Sequence, residues 1–324
     1  MSAKTGILVT NLGTPDSATP AALRRYLAEF LWDRRVVDMA RIPWWLILHG
    51  VILRVRPGKV ARAYQKVWTE QGGPLLVISQ QQRAAIEQQL QRQLNQKVPV
   101  VLGMRYGNPS IASALESLKE SGVTRIIVLP LYPQYSAATT GSTFDAVSQT
   151  LQQWRSIPEL TFISHYYNHP AYIDSLANSI KDQWKERSPA QQLLLSYHGL
   201  PLRYHQAGDP YREQCEATTV ALAEQLNLKE GAVQMLFQSR FGGEEWLQPY
   251  TDETLQQLPN QGIERVEIAC PGFSADCVET LEEIALQNRD LFLQSGGSDY
   301  HYIPALNSRD DHIQALTEIL LERW

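Results

Sequence analysis

Seven short apolar runs, each closed by a turn rich in Gly, Pro, Asn or Ser and separated by helix-period segments, constrain this chain more than any other feature. They lie at 6–10, 98–102, 125–129, 160–164, 193–196, 233–237 and 266–269. Runs this short, bounded by turn residues, fit strands buried on both faces. The stretches 79–93, 111–121, 172–187, 213–226 and 275–287 between them carry helical periodicity. Strands alternating with helices predict an α/β fold built on doubly wound parallel sheets. The runs fall into two sets, and 324 residues at roughly 150 per domain suggest two halves. In such sheets ligands bind in the crevice outside the carboxyl ends of the strands. The expectation is therefore that residues just past each run carry the chemistry: Tyr106, Tyr132, His198, Arg240 and Phe273.

His198 sits in LSYHGLP, where a Gly-Leu-Pro turn would fix an imidazole at the crevice mouth. Imidazole serves proton transfer near neutrality and binds divalent transition metals. A lone histidine donating to a backbone carbonyl is the plainer alternative. Asp276, Glu279 and Glu283 are spaced i, i+3, i+7, which aligns three carboxylates on one α-helical face. Such a row suits conduction of protons or cations. A solvated face, or a capping box formed by Asp276 and Glu279, explains the same residues structurally. Arg240 and Trp246 pair a guanidinium with an aromatic after a strand, which suits a carboxylate at the rim of an apolar cleft. Together these groups suggest a large flat anionic ligand and a metal.

Several function classes lose support. There is no GxGxxG, GxxxxGK[ST], HExxH, GxSxG or CxxC motif, which argues against dinucleotide oxidoreductases, P-loop enzymes, zincins, serine hydrolases and dithiol redox proteins. The net charge of −5 argues against nucleic acid as a partner. Residues 1–70 nevertheless hold eleven Lys and Arg against five Asp and Glu, leaving +6 there and −11 on the remainder. Cysteine appears only as Cys215, Cys270 and Cys277, one short of the four thiolates of a simple iron–sulfur cluster, and sparse cysteine fits a reducing cytoplasm. No signal peptide is read at the N-terminus.

The most apolar window, IPWWLILHGVIL at 42–53, would span about 18 Å as a helix against a bilayer core of about 30 Å. It is too short to cross. With Arg34, Arg35, Arg41, Arg54 and Arg56 around it, it suits an apolar lip lying on a membrane surface. A buried core helix fits the same pattern.

The strings ILVTNLGTPDS (7–17), FLWDRRVVD (30–38), GMRYG (103–107), LPLYPQYSAATTGS (129–142), LSYHGLP (195–201), GDPY (208–211), FQSRFG and WLQPYTDETL (237–255), and CPGFSADCVETLEEI (270–284) occur in the order found in a known family. On them the chain resembles ferrochelatase, the terminal enzyme of protoheme synthesis, in its short soluble proteobacterial form. The resemblance implies insertion of Fe2+, a substrate, into protoporphyrin IX with release of two protons, by an enzyme of two similar Rossmann-like domains with no prosthetic group. It gives His198 and Glu279 the catalytic and metal-contacting roles, and makes Asp276 and Glu283 an acidic path. Leu12, Arg105, Tyr106, Tyr132, Arg240, Trp246 and Phe273 fall at positions of porphyrin contact or cleft wall. The C-terminal helix would pack back on the first domain, giving domains at 1–150 plus 306–324 and at 151–305. Relatives with a [2Fe-2S] cluster carry a cysteine where Ala137 and Ala138 stand here, and further cysteines in a C-terminal extension. No cluster is expected, since no cysteine follows Cys277, which itself stands where some relatives have His. The expected setting is the cytoplasm, with peripheral contact at the inner face of the membrane, as a monomer or weak dimer.

Two other readings fit the residues. One is a chelatase for coproporphyrin III or sirohydrochlorin inserting cobalt or nickel, because imidazole and carboxylate accept several divalent ions. The other is a non-catalytic two-lobed carrier of heme or metal.

Overall fold

The computed structural model describes residues 4–229 and 231–324. The chain divides into two compact units, Met1–His165 with Leu316–Trp324, and Tyr166–Ala315.

In unit 1 the strands are β1 (Thr5–Thr14), β2 (Val100–Gly107), β3 (Arg125–Pro130) and β4 (Glu159–Phe162), all parallel in the order β2-β1-β3-β4. Between them run α1 (Pro20–Trp32), α2 (Arg41–Ile47), α3 (Leu53–Val67), α4 (Pro74–Leu94), α5 (Ile111–Glu120) and α6 (Ser142–Leu151). Ile7, Leu8 and Val9 of β1 and Ile126 to Leu129 of β3 are buried on both faces, which is why these strands read as unbroken apolar runs. Leu8, Leu115, Leu118, Ile126, Val128 and Val147 close one face of the sheet against α5 and α6.

Unit 2 opens with α7 (Pro170–Glu186) and repeats the plan with β5 (Gln192–His198), β6 (Val233–Gln238), β7 (Arg265–Ala269) and β8 (Asp299–Tyr302), parallel in the order β6-β5-β7-β8. Its remaining α-helices are α8 (Leu202–Gln206), α9 (Tyr211–Gln225), α10 (Thr251–Gln257), α11 (Arg289–Gln294) and α12 (Asp310–Leu321), the last of which ends in unit 1. Leu194, Leu236, Leu255, Ile268, Ile284 and Phe292 form its core. The strand order is the same in both units, so in each the switch point lies between the first and third strands: β1 and β3, then β5 and β7.

The strands differ from the sequence reading at their ends. β1 continues through Leu12 to Thr14, and β2 through Arg105 and Tyr106 to Gly107, so these side chains lie on strands rather than beyond them. Their pairing, Asn11 with Met104 and Gly13 with Tyr106, carries both strands past the apolar residues that periodicity detects. β8 was not anticipated, because Asp299 and His301 interrupt its apolar pattern.

The apolar window forms α2, a π-helical turn Leu48–Ile52 and the start of α3. Trp44 and Leu48 are buried, whereas Ile42 is 80% exposed, Val55 71%, Leu46 and Val51 58%, and Trp45 50%. A wholly buried helix is thereby excluded. Among the described residues no helix is long and apolar enough to cross a membrane.

Candidate active site

β5 delivers His198 to the carboxyl edge of the second sheet as its last residue, paired in register with Gln238 of β6. The His198 Nδ1–H donates to the carbonyl of Gly199 at 2.7 Å, since a carbonyl only accepts, which leaves Nε2 as the basic nitrogen of the neutral ring. The plain structural bond raised from sequence thus exists, and it orients the ring rather than consuming it. Gly199 is required here. Its N–H donates to the Gln238 oxygen at 2.7 Å, and a Cβ would lie 2.7 Å from that oxygen and 3.1 Å from the Trp246 ring. The following turn is held by Leu247 N–H to Leu200 O and Leu202 N–H to Glu245 O, both 2.9 Å.

Gln238 is buried and ties three elements together. Its Oε1 accepts from Ser196 Oγ at 2.8 Å and its Nε2 donates to the Glu279 main-chain oxygen at 3.1 Å. Ser239 follows in the left-handed region at φ 66°, a conformation that non-glycine residues hold only where surroundings enforce it. Here the enforcing group is Glu283, whose carboxylate accepts the Ser239 N–H at 2.8 Å and the Ser239 hydroxyl.

Glu279 opens a ten-residue π-helix, Glu279–Asn288. Its bonds reach i+5 rather than i+4, so residues four apart stay on one face and Glu283 falls beside Glu279. Burial pushes the Glu283 carboxyl above its ordinary value and Glu279 adds to the rise, while Ser239 and His198 oppose it. His198 and Glu279 thus both act on the Glu283 carboxyl. Burial likewise raises the Cys277 thiol, and the adjacent Glu279 carboxylate, which it faces in a hydrogen bond, raises it further. Phe273, partly exposed, places its ring centroid 6.4 Å from that of His198.

Asp276 departs from the expected row. It precedes the helix, forms no capping box with Glu279, and its Oδ1 accepts from Thr280 Oγ1 at 2.9 Å and the Tyr302 hydroxyl at 2.5 Å while its Oδ2 accepts from Asn307 Nδ2 at 2.7 Å. The i, i+3, i+7 spacing assumed an α-helix that starts earlier than the π-helix does.

Arg240 lies over the Tyr250 ring at 3.9 Å and pairs with Asp252 at 3.0 Å and Glu253 at 2.8 Å, so its charge is already matched. Trp246 is buried, its indole N–H donating to the Phe241 oxygen at 3.1 Å, and it supports the His198 turn from beneath.

In unit 1, Arg105 bonds Asp33 and the Ser142 hydroxyl at 2.6 Å, and the fully buried Tyr106 donates to Asp33 at 2.8 Å. Burial alone would raise the Asp33 carboxyl, but Ser142, the Arg35 amide, Arg105 and Tyr106 together hold it below its ordinary value. Tyr132 follows β3 at the switch point, its hydroxyl buried and its pKa raised by that burial; Leu12, partly exposed, lies near the end of the neighbouring β1. Asp33, Ser142, Gln238, Ser239 and Asn307 were not singled out from sequence. Most lie inside the matched strings, but as polar residues without periodicity they gave no separate signal.

Two repeats of one parallel sheet order, with an imidazole and carboxylates gathered past the strand ends of the second, define a chelatase-type α/β protein. The fold agrees with solved structures: SirB from Bacillus subtilis with Fe3+ aligns with a TM-score of 0.57 at 13% identity, covering 98% of this chain and 95% of that one. CbiX, described as the terminal enzyme for biosynthesis of siroheme in denitrifying bacteria, aligns at 0.52 and 11%, covering 98% and 99%. The Ferrochelatase family model matches residues 4–324. Ferrochelatases of Thioalkalivibrio sulfidiphilus and Nitrosococcus oceani are 55% and 54% identical, each over 98% of this chain and 86% of their own length. The chain belongs to the ferrochelatase family, a family of porphyrin metal chelatases of the lyase class.

Proposed function

We propose that this chain inserts Fe2+ into protoporphyrin IX, with His198 as the proton acceptor and Glu279 as the partner that takes metal or protons onward. Family membership carries the reaction and favours iron insertion over the other readings raised from sequence. The observation that carries the site is that Gln238, paired in register with His198, donates to the Glu279 main-chain oxygen at 3.1 Å, while Ser239 beside it donates to the Glu283 carboxylate at 2.8 Å.

A planar free-base porphyrin keeps its pyrrole protons and lone pairs in the ring plane, and bending it exposes both, a use of binding energy to distort the substrate. The His198 Nε2 accepts a pyrrole proton because Nδ1 is already committed to Gly199. Glu279 sits at the mouth of the π-helix and Glu283 one step behind it, raised by burial and so suited to receive a proton and release it. Leu12, Tyr132 and Phe273 are partly exposed and supply porphyrin contact. Arg105, Tyr106, Arg240 and Trp246, engaged with protein partners, act one layer behind.

The exposed apolar side of α2 and the adjoining π-helical turn, with Arg34, Arg41, Arg54 and Arg56 nearby in sequence, is the surface for peripheral contact with a membrane from the cytoplasmic side. Binding to anionic liposomes at low salt, lost in Ile42→Ser/Leu46→Ser, tests it; unchanged pelleting of that variant rejects it.

The reaction is tested by an anaerobic time course of free-base fluorescence and heme absorbance with protoporphyrin IX, Fe2+ and catalytic protein. Multiple turnovers are expected of the unaltered chain and loss in His198→Ala and in Glu279→Gln. Normal turnover by His198→Ala overturns its assignment.

A further inference from the structure

The π-helix that begins at Glu279 has no side-chain cap of its own. Its approach is instead held from outside, with Asn307 making the reciprocal contacts. Asn307, in the left-handed region at φ 49°, donates from its backbone N–H to Ser274 O at 3.0 Å and from Nδ2 to the Asp276 carboxylate at 2.7 Å. Its Oδ1 accepts the Asp276 N–H at 2.8 Å, and its own carbonyl accepts from His312 Nδ1 at 2.7 Å. Asp276 passes the constraint on through Thr280, whose hydroxyl donates to Oδ1 at 2.9 Å from the first turn of the helix. Glu279 lies between the two anchored residues.

We propose that Asn307 and Asp276 form a reciprocal clip that positions Glu279, Asp276 acting through this clip rather than as a carrier on an acidic path. The inference rests on the role assigned to Glu279 above. A carboxylate that accepts four donors, from Thr280, Tyr302, Ala305 and Asn307, is committed to geometry. Groups that orient a metal-contacting residue act on turnover through that residue.

Three variants test the clip. Asn307→Gly keeps the left-handed backbone accessible and removes only the side chain. It should lower kcat by about 10–100-fold with the KM for protoporphyrin IX within about twofold. Asp276→Asn should lose kcat in the same way, because two amides then face each other with one mismatched pairing. The exchange Asp276→Asn/Asn307→Asp restores a complementary pair and should recover most of the lost kcat. A carrier role predicts the opposite, no recovery, since the exchange moves the charge off position 276, and that result overturns the proposal. So does normal turnover by Asn307→Gly, or a rise in KM at unchanged kcat. If Asn307→Gly melts below the assay temperature, the exchange still decides. Glu279→Gln run alongside separates the two levels: retained turnover there removes the catalytic reading itself, whatever the clip variants do.

Discussion

Gln238 donates from Nε2 to the main-chain oxygen of Glu279 at 3.1 Å, so the end of β6 holds the first residue of the π-helix from a fully buried position. The same amide accepts from Ser196, which in turn shares a hydrogen bond with Thr251 at 2.9 Å. Removing the amide takes from the Glu279 main-chain oxygen its donor at 3.1 Å, while the Ser196 hydroxyl falls back on Thr251. Gln238→Leu should therefore cost about 1–3 kcal/mol for the carbonyl left without its donor and also slow turnover, because Glu279 loses a tether. Urea unfolding and steady-state rates check both; a stable variant with unaltered kcat would show the tether to be idle.

Gly199 offers a sharper steric case. Any Cβ there meets the Gln238 carbonyl at 2.7 Å, and backbone cannot move aside as a flexible side-chain end can. The strain must rotate the Gly199 carbonyl, which is the acceptor that fixes the His198 ring. Gly199→Ala should thus lower kcat by about 100-fold, the scale of a misplacement near 1 Å. Porphyrin binding, followed by fluorescence quenching, should survive. Wild-type turnover would mean that the ring is fixed by other contacts.

The sequence reading and the structure agree wherever burial alone sets the pattern. Ile7 to Val9, Ile126 to Leu129 and Leu193 to Leu195 are buried on both faces, so uninterrupted apolar runs marked their strands. His198 was legible because its turn residues follow such a run. Asp276 was misplaced because periodicity reports spacing and not the type of helix: the three carboxylates share a face only if an α-helix already contains all three. Asn307 was invisible, since its importance comes from bonds to Ser274 and Asp276, both more than thirty residues away. β8 escaped for a related reason. Its Asp299 pairs with Arg187 and its His301 with Gln183 at 2.9 Å, so partners from α7 and the residue just after it supply what an apolar pattern otherwise would.

Glu283 gives a pH signature. Its carboxyl is raised by burial first, so the native state keeps the proton at pH values where the unfolded chain has released it. Native protein then binds more protons than unfolded protein from the ordinary 4.5 upward, and stability falls as pH rises through the native value. Glu283→Gln is neutral throughout and escapes that loss. Its stability relative to the unaltered chain should climb as pH increases from about 4.5, while its kcat falls for want of a titrating group. Urea unfolding across that range provides the test. A pH-independent difference between the two proteins would show that the buried carboxyl carries no such cost.

His312 has the opposite sign and a clearer magnitude. It is fully buried, its Nδ1–H held by the Asn307 carbonyl at 2.7 Å, and burial lowers its pKa from 6.5 to about 4. Between those values the unfolded chain binds a proton that the native state refuses, so acidification favours unfolding and stability is lost as pH falls below 6.5. From about pH 7 to about pH 5 this one residue should remove about 2 kcal/mol. His301 is also lowered, by burial first and then by Arg187, and contributes in the same direction; comparison with a His312 variant cancels it. His312→Asn offers an amide N–H to the Asn307 carbonyl and does not titrate. It should be the less stable protein near pH 7, and the gap should narrow by about 2 kcal/mol near pH 5. Urea midpoints at the two pH values measure this directly, and an unchanged gap would place the acid sensitivity of unit 2 elsewhere.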